Sequence, residues 1–95
     1  MRLFLFWPVL VLLSVPDTVM LYWEPGAQSY ETEVECAEKL QVVEEMAGKD
    51  WSFLEAARML NHGEQPPLTF SRECATVPPR EFMEELRRRR PGSST

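Results

Sequence analysis

The residues able to do chemistry in this chain are few and far apart. They are Cys36, Cys74, a single His62, a row of glutamates (Glu31, Glu33, Glu35, Glu38, Glu44 and Glu45), and the block Arg87, Arg88, Arg89 and Arg90. Two cysteines permit one intramolecular disulfide. In an exported chain such a bond closes a loop of about 39 residues, worth roughly 4 kcal/mol in the chain-entropy model. A metal centre needs several ligands at close spacing, and here there is neither a C-x-x-C nor an H-x-x-x-H pattern. No metal and no cofactor is expected. Glutamates in a row read as a solvated helix face, not as an acid–base dyad. Ser52 and Cys74 have no recognisable base and orienting partner, and the glycines form no phosphate-cradling loop. The expectation is a protein without catalytic residues, not an enzyme.

Fifteen acidic against ten basic residues give a net charge of −5, which offers no general attraction to nucleic acid. The stretch around Gly48 has the outline of a helix-turn-helix. Its second helix, however, offers only Arg58, Ser52 and Asn61 beside Glu55, a poor donor set for phosphates and base edges. The block Arg87 to Arg90 has two readings: a site for a processing protease, or a helix end where arginines complement the dipole and pair with Glu84 and Glu85. Asn61 is followed by His62-Gly63, so the chain carries no N-glycosylation sequon.

The elements expected to position these residues are helical. Thr32 and Glu35 have capping-box form. They open a helix that runs to about Ala47 with Gly48 as its stop, its apolar stripe being Cys36, Leu40, Val43 and Ala47. Asp50 or Ser52 caps a second helix ending near His62-Gly63, with Phe53, Ala56, Ala57 and Leu60 as its stripe and Leu54 beside it. The short turn between them predicts an αα-hairpin. Residues 62–79 hold four prolines and read as an extended strap. Leu68 and Phe70 alternate there like a brief strand, with no second strand evident to pair with it. Pro78-Pro79 introduces a short third helix, about Arg80 to Arg90, with Phe82, Met83 and Leu86 on one side. The predicted fold class is all-α: a helical hairpin plus a short third helix and a Pro-rich strap, behind an N-terminal hydrophobic targeting segment.

That segment decides where the chain goes. Residues 3–23 contain one charge, Asp17, and Arg2 precedes them. Small residues at Ala27 and Ser29, after the helix-breaking Pro25-Gly26, make the Ser29–Tyr30 bond the best cleavage position. Residues 1–29 are therefore read as a signal peptide or signal anchor, 30–90 as a small helical body and 91–95 as a disordered tail. A body of about 66 residues has a thin core and needs a staple, for which Cys36 and Cys74 are placed.

The function expected is that of a small secreted or lumenal protein that binds a protein partner, with Trp51, Glu38 and Glu45 as contact residues; Trp is favoured at binding hot spots. The alternatives are a single-pass membrane accessory protein, if residues 3–23 are retained, or a peptide precursor processed at the arginine block.

Overall fold

The computed structural model describes residues 4–15 and 17–89. It has six elements: β1 (Trp7–Leu12), β2 (Leu21–Trp23), α1 (Glu33–Lys49), α2 (Trp51–Leu60), β3 (Phe70–Ala75) and α3 (Pro79–Arg89). The three strands form one antiparallel sheet in the order β2-β1-β3. The all-α expectation is thereby overturned: the chain is an α+β fold of three helices and a three-stranded sheet. The strap's lone strand does have a partner, in the apolar head.

The head misleads because its strand is covered on both faces. Leu10 and Leu12 join Val15, Tyr22, Leu40, Val43, Ala47, Phe53 and Ala57 in a core beneath α1 and α2. Val9, with Trp7 and Val11 beside it, packs on the other side with Val19, Leu21, Ala75 and the α3 residues Phe82, Met83 and Leu86. Val9 and Leu10 are both 0 % exposed. A strand buried on both faces loses the polar–apolar alternation that marks a half-buried one. Its sequence then resembles an export segment.

Pro8 lies in this central strand without breaking it, and the reason is its parity. Phe6 N–H donates to the Tyr30 carbonyl (2.8 Å) and Leu12 N–H to that of Met20 (2.9 Å), whereas Leu13 N–H donates to Thr69 (2.8 Å). Even-numbered backbone groups of β1 thus face β2 and odd-numbered ones face β3. Pro8 turns its nitrogen to the β2 side, where pairing begins only at Val9↔Trp23. No ladder bond is lost. Along its other edge β1 pairs continuously with β3, from Trp7↔Ala75 to Leu12↔Phe70.

The helices follow the sequence more closely. Thr32 caps α1 by accepting from Glu35 N–H (3.1 Å), and the buried stripe is Cys36, Leu40, Val43 and Ala47 as expected. α1 does not stop at Gly48 but continues to Lys49, and Asp50 is the junction. One Asp50 oxygen accepts from Phe53 N–H (3.2 Å), so Asp50 and not Ser52 caps α2. Within α2 only Phe53 and Ala57 are buried; Leu54 packs against the core, while Ala56 and Leu60 of the expected stripe are exposed. α2 ends as expected: Gly63 N–H returns to the Arg58 carbonyl (2.9 Å). His62 takes a left-handed conformation (φ 60°) in that cap, where glycine is usual.

Candidate partner-binding face

The Cys36–Cys74 disulfide is formed and ties α1 to β3 across a Cα–Cα distance of 6.1 Å. It brings two elements 38 residues apart in sequence into one unit. An ion pair between Arg72 and Glu44 links the same two elements further along. The bond agrees with an oxidising environment. No helix among the described residues is long and apolar enough to cross a membrane. Within residues 3–23, read as a possible span, Trp7–Leu12 and Leu21–Trp23 instead form β1 and β2.

With its stripe turned into the core, α1 presents the opposite side outward. Val34, Glu38 and Val42 follow at intervals of four, so they line one face, and Glu45 continues it. Val34 is 67 % and Val42 45 % exposed. Beside them lies a shallow cleft of about 270 Å³ lined by Tyr30, Glu35, Glu38, Lys39 and Val42. Tyr30 is fixed by two 2.8 Å backbone bonds with Phe6, and its hydroxyl reaches Glu24 at 3.5 Å. Partial burial and the neighbouring Glu24 charge push the Tyr30 hydroxyl above its usual pKa, so it stays a neutral donor at the wall of the cleft. The exposed Phe4 and Leu5 lead into the same bridge. The surface is apolar spots set in negative charge, suited to a partner carrying basic and apolar side chains.

Glu38 lies on this face and in its cleft, and Glu45 is exposed on the same helix. Trp51 is 74 % exposed at the start of α2. About 18 Å of helix axis separates Glu38 from the α1–α2 junction, so Trp51 and Glu38 are two spots of a long surface and not one pocket. The Ser29–Tyr30 bond adjoins the Phe6 bridge and connects the sheet to α1. Arg87, Arg88 and Arg89 are exposed in the last turn of α3; Arg90 and the 91–95 tail lie outside the described residues. The expected pairs Glu84–Arg88 and Glu85–Arg89 do not close. Among the described residues the ion pairs are Glu55–Arg58 and Glu44–Arg72. His62 serves a helix cap, and no three His, Cys, Asp or Glu side chains among the described residues gather closely enough to hold a metal ion.

Sequence reasoning missed Val34, Val42 and Tyr30. The signal was present: two valines eight apart that fall off the buried stripe of an otherwise acidic helix. No family model, curated protein or solved structure matches the chain.

Proposed function

We propose that the chain is a small, disulfide-stapled protein of the secretory lumen or the cell exterior, and that it acts by holding a protein partner against the outer face of α1. The observation that carries this reading is the line Val34–Glu38–Val42 beside the Tyr30 cleft: exposed valines on a helix whose other side already fills the core. Isolated exposed valines are ordinary. Two on one face, rimmed by Glu35 and Glu38 and backed by an aromatic hydroxyl, have the apolar-centre, polar-rim form of a contact patch. Trp51 extends it as a second anchor.

The disulfide supports the oxidising compartment. In this reading the apolar head is retained as β1 and β2 and is not cleaved. Cutting at Ser29–Tyr30 would remove β1 and β2, and with them Leu10, Leu12 and Tyr22 from one core cluster and Val9 and Leu21 from the other.

The test has two arms. Intact mass of the chain recovered from the medium of expressing cells should show residue 1 retained and two hydrogens missing. A start at Tyr30 overturns the retained sheet, a C-terminus within Arg87–Arg90 favours the precursor reading, and recovery only from the cytosol with free thiols overturns the compartment. A photo-crosslinker at Val42 should capture one partner from the secretory pathway. Glu38→Lys and Glu45→Lys should abolish that capture while leaving the circular dichroism unchanged; unaffected capture rejects the α1 face.

A further inference from the structure

The two edges of the sheet differ in a way that bears on binding. β2 offers only three residues, too few to template another strand. β3 offers six, its sole strand neighbour among the described residues is β1, and it is clamped at Cys74 to Cys36 and at Arg72 to Glu44. Since odd-numbered groups of β1 face β3, the opposed residues Ser71, Glu73 and Ala75 exchange the ladder bonds. Phe70, Arg72 and Cys74 therefore point their N–H and C=O groups away from the sheet, and they have no backbone partner among the described residues. An extended, immobilised row of this kind is what strand addition uses.

The side chains of the strand select the occupant. Two copies of β3 pairing antiparallel about a two-fold axis must oppose residues of equal parity. The register centred on residue 72 sets Arg72 against Arg72, and the one centred on residue 73 sets Glu73 against Glu73. Directly opposed like charges destabilise a pair. Slipping by one residue to match Arg72 with Glu73 turns the second strand's hydrogen-bonding groups the wrong way. The strand is thus set against its own copy at full overlap and suited to a strand of different pattern.

We propose that the outer edge of β3 accepts an extended segment of another protein as a fourth, antiparallel strand, one carrying a basic side chain opposite Glu73 and an acidic one opposite Arg72, which would share the guanidinium with Glu44, now bonded through Nε and Nη2. In an antiparallel neighbour this reads as a Lys-Glu or Arg-Glu pair within a β-branched run. The surface is separate from the α1 face, so its failure leaves that reading standing.

The experiment uses the full oxidised chain and a short synthetic peptide of β-branched residues around a central Lys-Glu pair, with the Glu-Lys isomer as control. Amide hydrogen exchange by NMR should show new protection at Phe70, Arg72 and Cys74 and no change at Ser71 and Glu73. The isomer should bind about tenfold more weakly, two cross-strand charge pairs having changed sign. Arg72→Pro removes an outward N–H without touching the backbone bonds to β1 and should abolish binding, whereas Arg72→Ala, which loses the same Glu44 ion pair but keeps the N–H, should only weaken it. Glu73→Lys, which leaves the backbone intact, should reduce the preference for the Lys-Glu peptide. Unchanged protection with peptide, equal affinity for both peptides, or protection that grows with protein concentration alone would each overturn the proposal, the last by assigning the edge to a second copy.

Discussion

Tyr22 on β2 donates its hydroxyl to the Asp50 carboxylate at 2.9 Å, while the other oxygen of that carboxylate caps α2. One aspartate therefore joins the sheet edge to the turn between two helices. The Tyr22 ring closes the contact by meeting Phe53 edge-on, with centroids 4.8 Å apart.

Burial, followed by the hydrogen bond to Asp50 and its charge, pushes the Tyr22 hydroxyl up to about 12 from its ordinary 10.0. The folded state thus holds a proton that the unfolded chain has already released between those values. The contribution is full below pH 10 and is lost as pH rises through 12. Denaturant midpoints measured across that interval should fall, and Tyr22→Phe should flatten the part of the fall that Tyr22 causes. An unchanged slope in the variant would mean that the hydroxyl is not held as described.

Reducing the Cys36–Cys74 bond, or replacing both cysteines by serine, should cost about 4 kcal/mol by the loop-entropy relation. A domain of this size has little more than that to lose. Urea unfolding of the oxidised and reduced forms gives the difference directly, and equal midpoints would contradict the stapling role.

Leu10 lies in the central strand of the sheet, fully buried and opposite Tyr22 and Arg72 on its neighbouring strands. Leu10→Ala should destabilise by about 2–5 kcal/mol through lost burial and the cavity left behind. Val34→Ala, at a site two-thirds exposed, should change little. If the sheet forms as described, thermal melts of the two variants separate clearly. If the head lies outside the fold, they do not.

Gly48 is a helical residue with nothing within 4 Å of where a Cβ would stand. Gly48→Ala should therefore stabilise α1 by about 0.5–1 kcal/mol through the unfolded chain's lost freedom. A rise in the denaturant midpoint with unchanged slope is the expected reading.

Trp51→Ala removes a side chain with little burial to lose, so stability should stay within about 0.5 kcal/mol of the parent. Partner capture from Val42 should weaken if Trp51 is the second anchor. Loss of stability instead would make Trp51 a cover for the helix junction.

The parts of this fold legible in the sequence are those governed by neighbours three and four residues apart. The Thr32 cap, the Cys36–Leu40–Val43–Ala47 stripe, the end of α2 at His62-Gly63 and the short α3 all announce themselves locally. Cys36 and Cys74 were legible as a pair because no other cysteine competes. The sheet was not. β1 is apolar at nearly every position because helices cover both its faces, Pro8 argues against a strand until its parity is known, and β2 is three residues long. The other partner of β1, the strand β3, is separated from it in sequence by both larger helices. The gap in the site has a similar cause: Val34 and Val42 are informative only once the opposite face of α1 is known to be occupied.

The strand at the centre of this sheet leaves the ribosome well before the strand it pairs with along its full length, which follows two helices later. The side of β1 that packs on Ala75 and α3 stays incompletely covered through that interval, and pairing across so long a separation in sequence is slow in comparison with forming the helices. Closing the sheet around β1 is therefore a late event in assembly, and a chain halted before β3 would leave that strand with one open edge.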